Sequence, residues 1–176
     1  MTHPAVNFAA YQLGWFALVL SAAAQKSWMG IALGLVVIGA HLWAVRRSAE
    51  RRLIGTAFVW GLVVESGFQA TGLLRYSSGF DSVTWVAPLW IVTLWALFAT
   101  TLRHSLRWLL HRPLLAAVLG AAFGPLAFRA GEAMGAVQFA PDRWTSYLGL
   151  AVLWGVSLPA LCLITGRQRP IAEVPE

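Results

Sequence analysis

Cysteine occurs once in the chain, at Cys162, which excludes an internal disulfide and any metal centre built from several thiolates. Charge is nearly as scarce. Only 11% of the 176 residues are Asp, Glu, Lys or Arg, where an ordinary soluble domain carries about 25%. That is too little polar surface to clothe a globule in water. No polar stretch is long enough to form a second domain. Several chemistries also lack their sequence marks. There is no phosphate-cradling glycine loop and no HExxH pattern, and no GxSxG turn presents a nucleophilic serine. The four histidines are scattered, and no histidine–carboxylate group has zinc spacing. No catalytic residue, metal ligand or cofactor is therefore assigned.

What the chain does have is hydrophobic sequence in long runs: 59% of residues are apolar and the mean hydropathy is +0.67. A helix crosses a bilayer with about 20 mostly apolar residues at 1.5 Å each. Six stretches qualify, at residues 7–24, 28–45, 53–74, 83–102, 113–135 and 145–165. The predicted fold is all-α, an integral membrane bundle of six transmembrane helices. It forms one domain over residues 1–166, with a short cytoplasmic tail at 167–176. Ala22-Ala23-Ala24 resembles a signal-peptide cleavage site, and cleavage there leaves five spans. The lack of Lys or Arg before the first run, and its interruption by Tyr11 and Gln12, favour retention. Ten tryptophans suit a protein that places them at membrane interfaces and between helices.

Orientation follows from arginine bias. The loops at 46–52 and 103–112 and the tail hold nine arginines, and the opposite loops hold only Lys26, Arg75 and Arg143. The positive-inside rule then puts both termini in the cytoplasm of an inner (plasma) membrane. The net charge of +6 reads as topology rather than as a nucleic-acid surface. His41, close to the cytoplasmic end of the second run, reads as an interfacial or hydrogen-bonded histidine.

The third run carries Glu65 as its thirteenth of twenty-two residues, which predicts a carboxylate near the midplane. Intramembrane charges are costly and usually face a bundle interior or cavity. Gln69 shares that face at i+4. In the fifth run Arg129 and Glu132 lie on one side of the helix. Counted from their cytoplasmic starts, Glu65 and Arg129 differ in depth by roughly 6 Å, so a pair forms if the two helices touch. Glu65, Gln69, Arg129 and Glu132, with Trp85 and Trp90 as an aromatic wall, are the candidate ligand-binding residues. The expected pocket opens toward the exterior half. Two small-residue pairs, Gly30/Gly34 and Gly120/Gly124, let helices approach closely and offer faces for a homo-oligomer.

Several short stretches are more specific together than singly: Asn7-Phe8 with Tyr11-Gln12-Leu13-Gly14-Trp15-Phe16, Gly72-Leu73-Leu74-Arg75-Tyr76, Ala87-Pro88-Leu89-Trp90, His104-Ser105-Leu106 and Gly124-Pro125-Leu126-Ala127. In this order they resemble a bacterial family of uncharacterised inner-membrane proteins, a domain of unknown function. The resemblance spans nearly the whole chain and transfers no catalytic residue. Genes of that family often stand beside fatty-acid-modifying enzymes of the cyclopropane-synthase type, so the resemblance implies a lipid context. Pro88-Leu89-Trp90 to Trp95 is also faintly similar to the tryptophan-rich sensory proteins, but the other motifs do not follow. The functional expectation is a binding, transport or accessory protein for a lipid or small apolar molecule. Membrane lipid and lipid-modifying enzymes are its expected partners, with no nucleic acid. An intramembrane enzyme acting on a lipid and a purely structural assembly partner are the alternatives; an enzyme is the less favoured, because no nucleophile–base pair is visible.

Overall fold

A computed structural model describes residues 3–79 and 83–167. The Ser/Gly/Asp cluster at residues 77–82 reads as a turn in sequence; its end, and most of the tail expected at 167–176, lie outside the described residues. Among the described residues there are six α-helices: α1 (Pro4–Ala23), α2 (Ser27–Val45), α3 (Ser48–Thr71), α4 (Leu89–Leu102), α5 (Pro113–Ala133) and α6 (Arg143–Arg167). All but α4 are long and apolar enough to cross a membrane. The five long helices bury only a narrow stripe each, such as Gly30, Gly34, Ile38 and His41 on α2. Large apolar side chains cover their outer faces, among them Leu13, Trp43, Leu114 and Leu148. A helix hydrophobic all round and yet exposed belongs in lipid.

The central element is α4. Every residue from Trp90 to Leu102 is buried, although the helix is only about 21 Å long, short of a hydrocarbon core of about 30 Å. It is the axis around which the other five helices stand. Helices α1, α2 and α3 pack directly on it, and α6 reaches it through Trp154, whose ring stacks on Trp95 with centroids 4.4 Å apart. The fourth span was expected from residue 83. Pro88 delays it: proline disfavours helical backbone in the residue before it, and Pro88 itself is extended, with ψ 150°, as the residue capping α4.

The third span is also displaced from its expected limits of 53–74. Helix α3 begins at Ser48 and ends at Gly72, which takes the left-handed conformation with φ 72°. Glu65 therefore sits six residues from the end of α3, about 9 Å along the axis, rather than near the middle of the helix.

Small residues set the two closest helix seams. A Cβ on Gly30 of α2 would stand 2.6 Å from the Ala17 carbonyl oxygen of α1, and one on Gly120 of α5 would stand 2.8 Å from the Trp154 carbonyl carbon of α6. Gly34 faces Leu18 and Thr93, and Gly124 faces the Trp154 side chain. These four glycines, expected to offer faces to a second copy, are consumed inside the chain by the α1–α2 and α5–α6 hairpins.

The described residues also form two short strands. β1 (Leu74–Tyr76) follows α3, and β2 (Val137–Phe139) follows α5. They pair antiparallel, with Leu74 opposite Phe139 and Tyr76 opposite Val137. The sequence had suggested only a helix end at Leu74–Tyr76.

Candidate functional site

Glu65 is wholly buried, and each of its carboxylate oxygens accepts one hydrogen bond. Tyr76 donates its hydroxyl to Oε2, and Trp95 donates Nε1–H to Oε1 at 2.6 Å. The two donors come from different elements. Pairing with β2 holds Tyr76 at the end of the bundle, and its backbone N–H donates to Gln69 Oε1 at 3.3 Å. Trp95 is fixed between Gly61, whose missing side chain makes room for the indole, and the Trp154 ring. Burial, and then the neighbouring Glu65 charge, pushes the Tyr76 phenol well above its ordinary pKa, so the hydroxyl remains a donor.

Above this knot, at the end of the bundle opposite the arginine-rich loops, lies a polar basin of about 820 Å³. Gln25, Gln69, Arg75, Tyr76, Ser78 and Trp85 contribute to its wall. The structure thus brings Gln69 and Trp85 together, with Glu65 one hydrogen bond beneath them. Trp90 joins from below, edge-on to Tyr76 with centroids 6.0 Å apart, its Nε1–H donating to the Ser77 carbonyl at 2.9 Å. Arg129 and Glu132 are elsewhere. Glu132 Oε2 accepts from Arg129 at 3.2 Å and from Arg143 at 2.9 Å, and both arginine side chains are about half exposed. The expected Arg129–Glu65 pair does not form. Helix α6 stands between α3 and α5, tied to α3 by Trp60 Nε1–H donating to Ser157 Oγ at 2.9 Å and packed along α5.

A second feature was not anticipated at all. An apolar cleft of about 740 Å³ runs between α1 and α5, with α4 as its floor. Helix α1 supplies Phe8, Tyr11, Trp15 and Phe16; α5 supplies Phe123, Leu126, Ala127 and Ala130; Phe98 and Thr101 of α4 form the bottom. Its end near the basic loops is closed by Leu106, Trp108 and Leu109. A deeper recess continues from Tyr11 and Trp15 toward Trp90 and Trp154. The sequence signal was present in the recurrence of Tyr11 and Trp15 at i and i+4. What periodicity could not show is that α5, rather than another helix, stands across from them. Asn7 ties the start of α1 to the end of α4 and the turn after it. Its Nδ2–H donates to the Thr100 carbonyl at 3.1 Å, and its Oδ1 accepts from Ser105 Oγ at 2.8 Å.

Sequence reasoning also missed Glu50. Read as one acid within an arginine-rich loop, it lies in the first turn of α3 and is 1% exposed. His41 and His104 both face it, at 3.4 Å and 3.6 Å. Three residues with no metal-like spacing in sequence therefore converge in space. The available signal was helical phase: Glu50, Leu53, Ala57, Gly61 and Glu65 all fall on the buried stripe of α3.

A family model described as "Protein of unknown function (DUF2878)" matches residues 4–160. No curated protein and no solved structure matches the chain.

Proposed function

The chain belongs to the DUF2878 family, whose description carries no activity, and we propose from geometry alone that it is a binding or accessory protein for a lipid or small apolar molecule. The observation that carries this reading is the cleft between α1 and α5. Its volume of about 740 Å³ falls within the roughly 300–1,000 Å³ usual for small-molecule sites. Its walls are aromatic and aliphatic, and Gln12 and Thr101 are among its few polar groups. Such a slot suits an acyl chain or a flat apolar molecule entering sideways from the bilayer. Within the proposed topology the arginine-rich end faces the cytoplasm of an inner membrane, and the cleft runs from that end along α1 to the far half of α5.

The carboxylate knot supports the same choice by contrast. Glu65 has both oxygens occupied and is sealed beneath Tyr76, a poor arrangement for carrying ions or for acid–base work on a substrate. Among the described residues, the cleft holds no nucleophile beside a base.

The test is native mass spectrometry of the detergent-purified protein. A co-purifying lipid or apolar adduct is expected on the wild type. Ala127→Trp and Ala130→Trp, which fill the cleft from α5, should remove it while leaving the helical circular-dichroism spectrum and melting temperature close to wild type. Retention of the same adduct by both folded variants refutes the cleft as the binding site.

A further inference from the structure

We propose that His41, Glu50 and His104 form a site for one divalent transition-metal ion of the zinc class at the basic end of the bundle. The ligands come from three elements: His41 from near the end of α2, Glu50 from the first turn of α3, and His104 from the turn just after α4. One ligand atom from each lies within 4.8 Å of the other two. His41 Nε2 stands 3.4 Å from Glu50 Oε2, and His104 Nε2 stands 3.6 Å from Glu50 Oε1. Charge-assisted hydrogen bonds are shorter, about 2.7–2.9 Å. The spacings fit the edges of a coordination shell better. Metal–ligand bonds of about 2.0–2.1 Å at tetrahedral angles place neighbouring donor atoms about 3.3 Å apart.

Satisfaction of the buried nitrogens points the same way. His104 Nε2, the atom that faces Glu50, is buried without a hydrogen-bond partner. Native interiors rarely leave such atoms unmatched unless an ion or water belongs there. An ion among the three side chains bonds His104 Nε2 directly and takes both long contacts to Glu50 into one shell.

The donor set selects the metal. Two imidazoles and one carboxylate suit zinc, copper or nickel, whereas magnesium and calcium prefer oxygen ligands. Arg103 strengthens that selection. Its Nε lies 3.7 Å from Glu50 Oε1, and its Nη2 donates to the Thr165 carbonyl at 3.0 Å. A fixed positive charge beside the carboxylate penalises any cation held by charge alone and favours one held by nitrogen coordination. Three protein ligands leave a fourth position for water, and His104, with a 12% exposed side chain, marks the side open to solvent. The site is separate from the cleft and does not depend on the cleft's function.

The experiment uses the full chain purified without a histidine tag, stripped with chelator and titrated with zinc, with magnesium as the control. Metal retained after desalting is measured by mass spectrometry, and cobalt replaces zinc for visible spectroscopy. One zinc per chain and intense low-coordination cobalt bands are expected, with no retained magnesium. His104→Gln and Glu50→Gln should each lower zinc affinity by about tenfold or more. His111→Gln, at an exposed histidine outside the cluster, should not. Because Glu50 is fully buried, His104→Gln at the rim decides the matter if Glu50→Gln does not fold. The proposal is overturned if the wild type retains no zinc, or if folded His104→Gln binds zinc as tightly as wild type with an unchanged cobalt spectrum.

Discussion

Tyr76→Phe removes one hydroxyl and leaves the ring in place against Trp90. Among the described residues, the deleted group is one of two donors to a carboxylate with no solvent exposure. Side-chain hydrogen bonds in membrane proteins contribute about 0.6 kcal/mol on average, with a measured maximum near 1.7. Hydrogen bonds to charged groups contribute about 1.5–3 kcal/mol. Glu65 belongs toward the upper range, because no water or spare donor stands ready to replace the hydroxyl among the described residues. A loss of about 2 kcal/mol is expected, close to a 30-fold shift in the unfolding equilibrium. Reversible unfolding in mixed micelles measures it. The informative arm is a double-mutant cycle with Glu65→Leu, which deletes the acceptor. Tyr76→Phe in that background should cost less than about 0.5 kcal/mol, leaving most of the effect as coupling. Equal losses in the two backgrounds, or a Tyr76→Phe protein as stable as wild type, would refute the reasoning. The same cycle run between Glu65→Leu and Arg129→Ala should be additive, since Arg129 is occupied by Glu132 at a half-exposed site.

Two further outcomes follow from the packing and the charge distribution. Gly120→Ala and Gly30→Ala should each destabilise the protein by about 1–3 kcal/mol, read as a lowered melting temperature in detergent, because the added methyl meets backbone of the partner helix, and at Gly30 the Ser21 hydroxyl as well. A reporter active only in the periplasm, fused to the C-terminus, should stay silent in cells, and a strong signal would reverse the proposed orientation.

The membrane character was legible because each long helix presents an apolar run with polar or glycine-rich ends, and those features survive without any knowledge of neighbours. Glu65 was legible as a buried, costly group for the same reason. Its partners were not. Helical phase says which residues share a face of α3, but not which helix that face meets, and Arg129 was chosen by depth alone. The true donors are Trp95, hidden within a run of apolar residues, and Tyr76, which reaches Glu65 only because α3 stops at Gly72 and the chain folds back as β1. The β1–β2 pair left no trace in sequence, since three-residue strands some sixty positions apart lack the alternation that marks longer ones. Glu50 was obscured by its company: four arginines made the segment read as a loop, and its burial became visible only once the helix began at Ser48.

The enclosure of α4 has a consequence for how the chain is made. A helix wrapped by its own chain cannot reach its final surroundings until the last hairpin has been synthesised. As α1 to α4 enter the membrane, the faces of Trp95 and Phe98 that meet Trp154 in the finished protein must be covered by lipid. The α5–α6 hairpin has its own tight seam at Gly120 and Gly124, so it can close on itself before it docks. Docking then brings Trp154 onto Trp95, Trp60 onto Ser157 and β2 onto β1. Maturation ends as the joining of two preformed pieces, with the side cleft as the line along which they do not close.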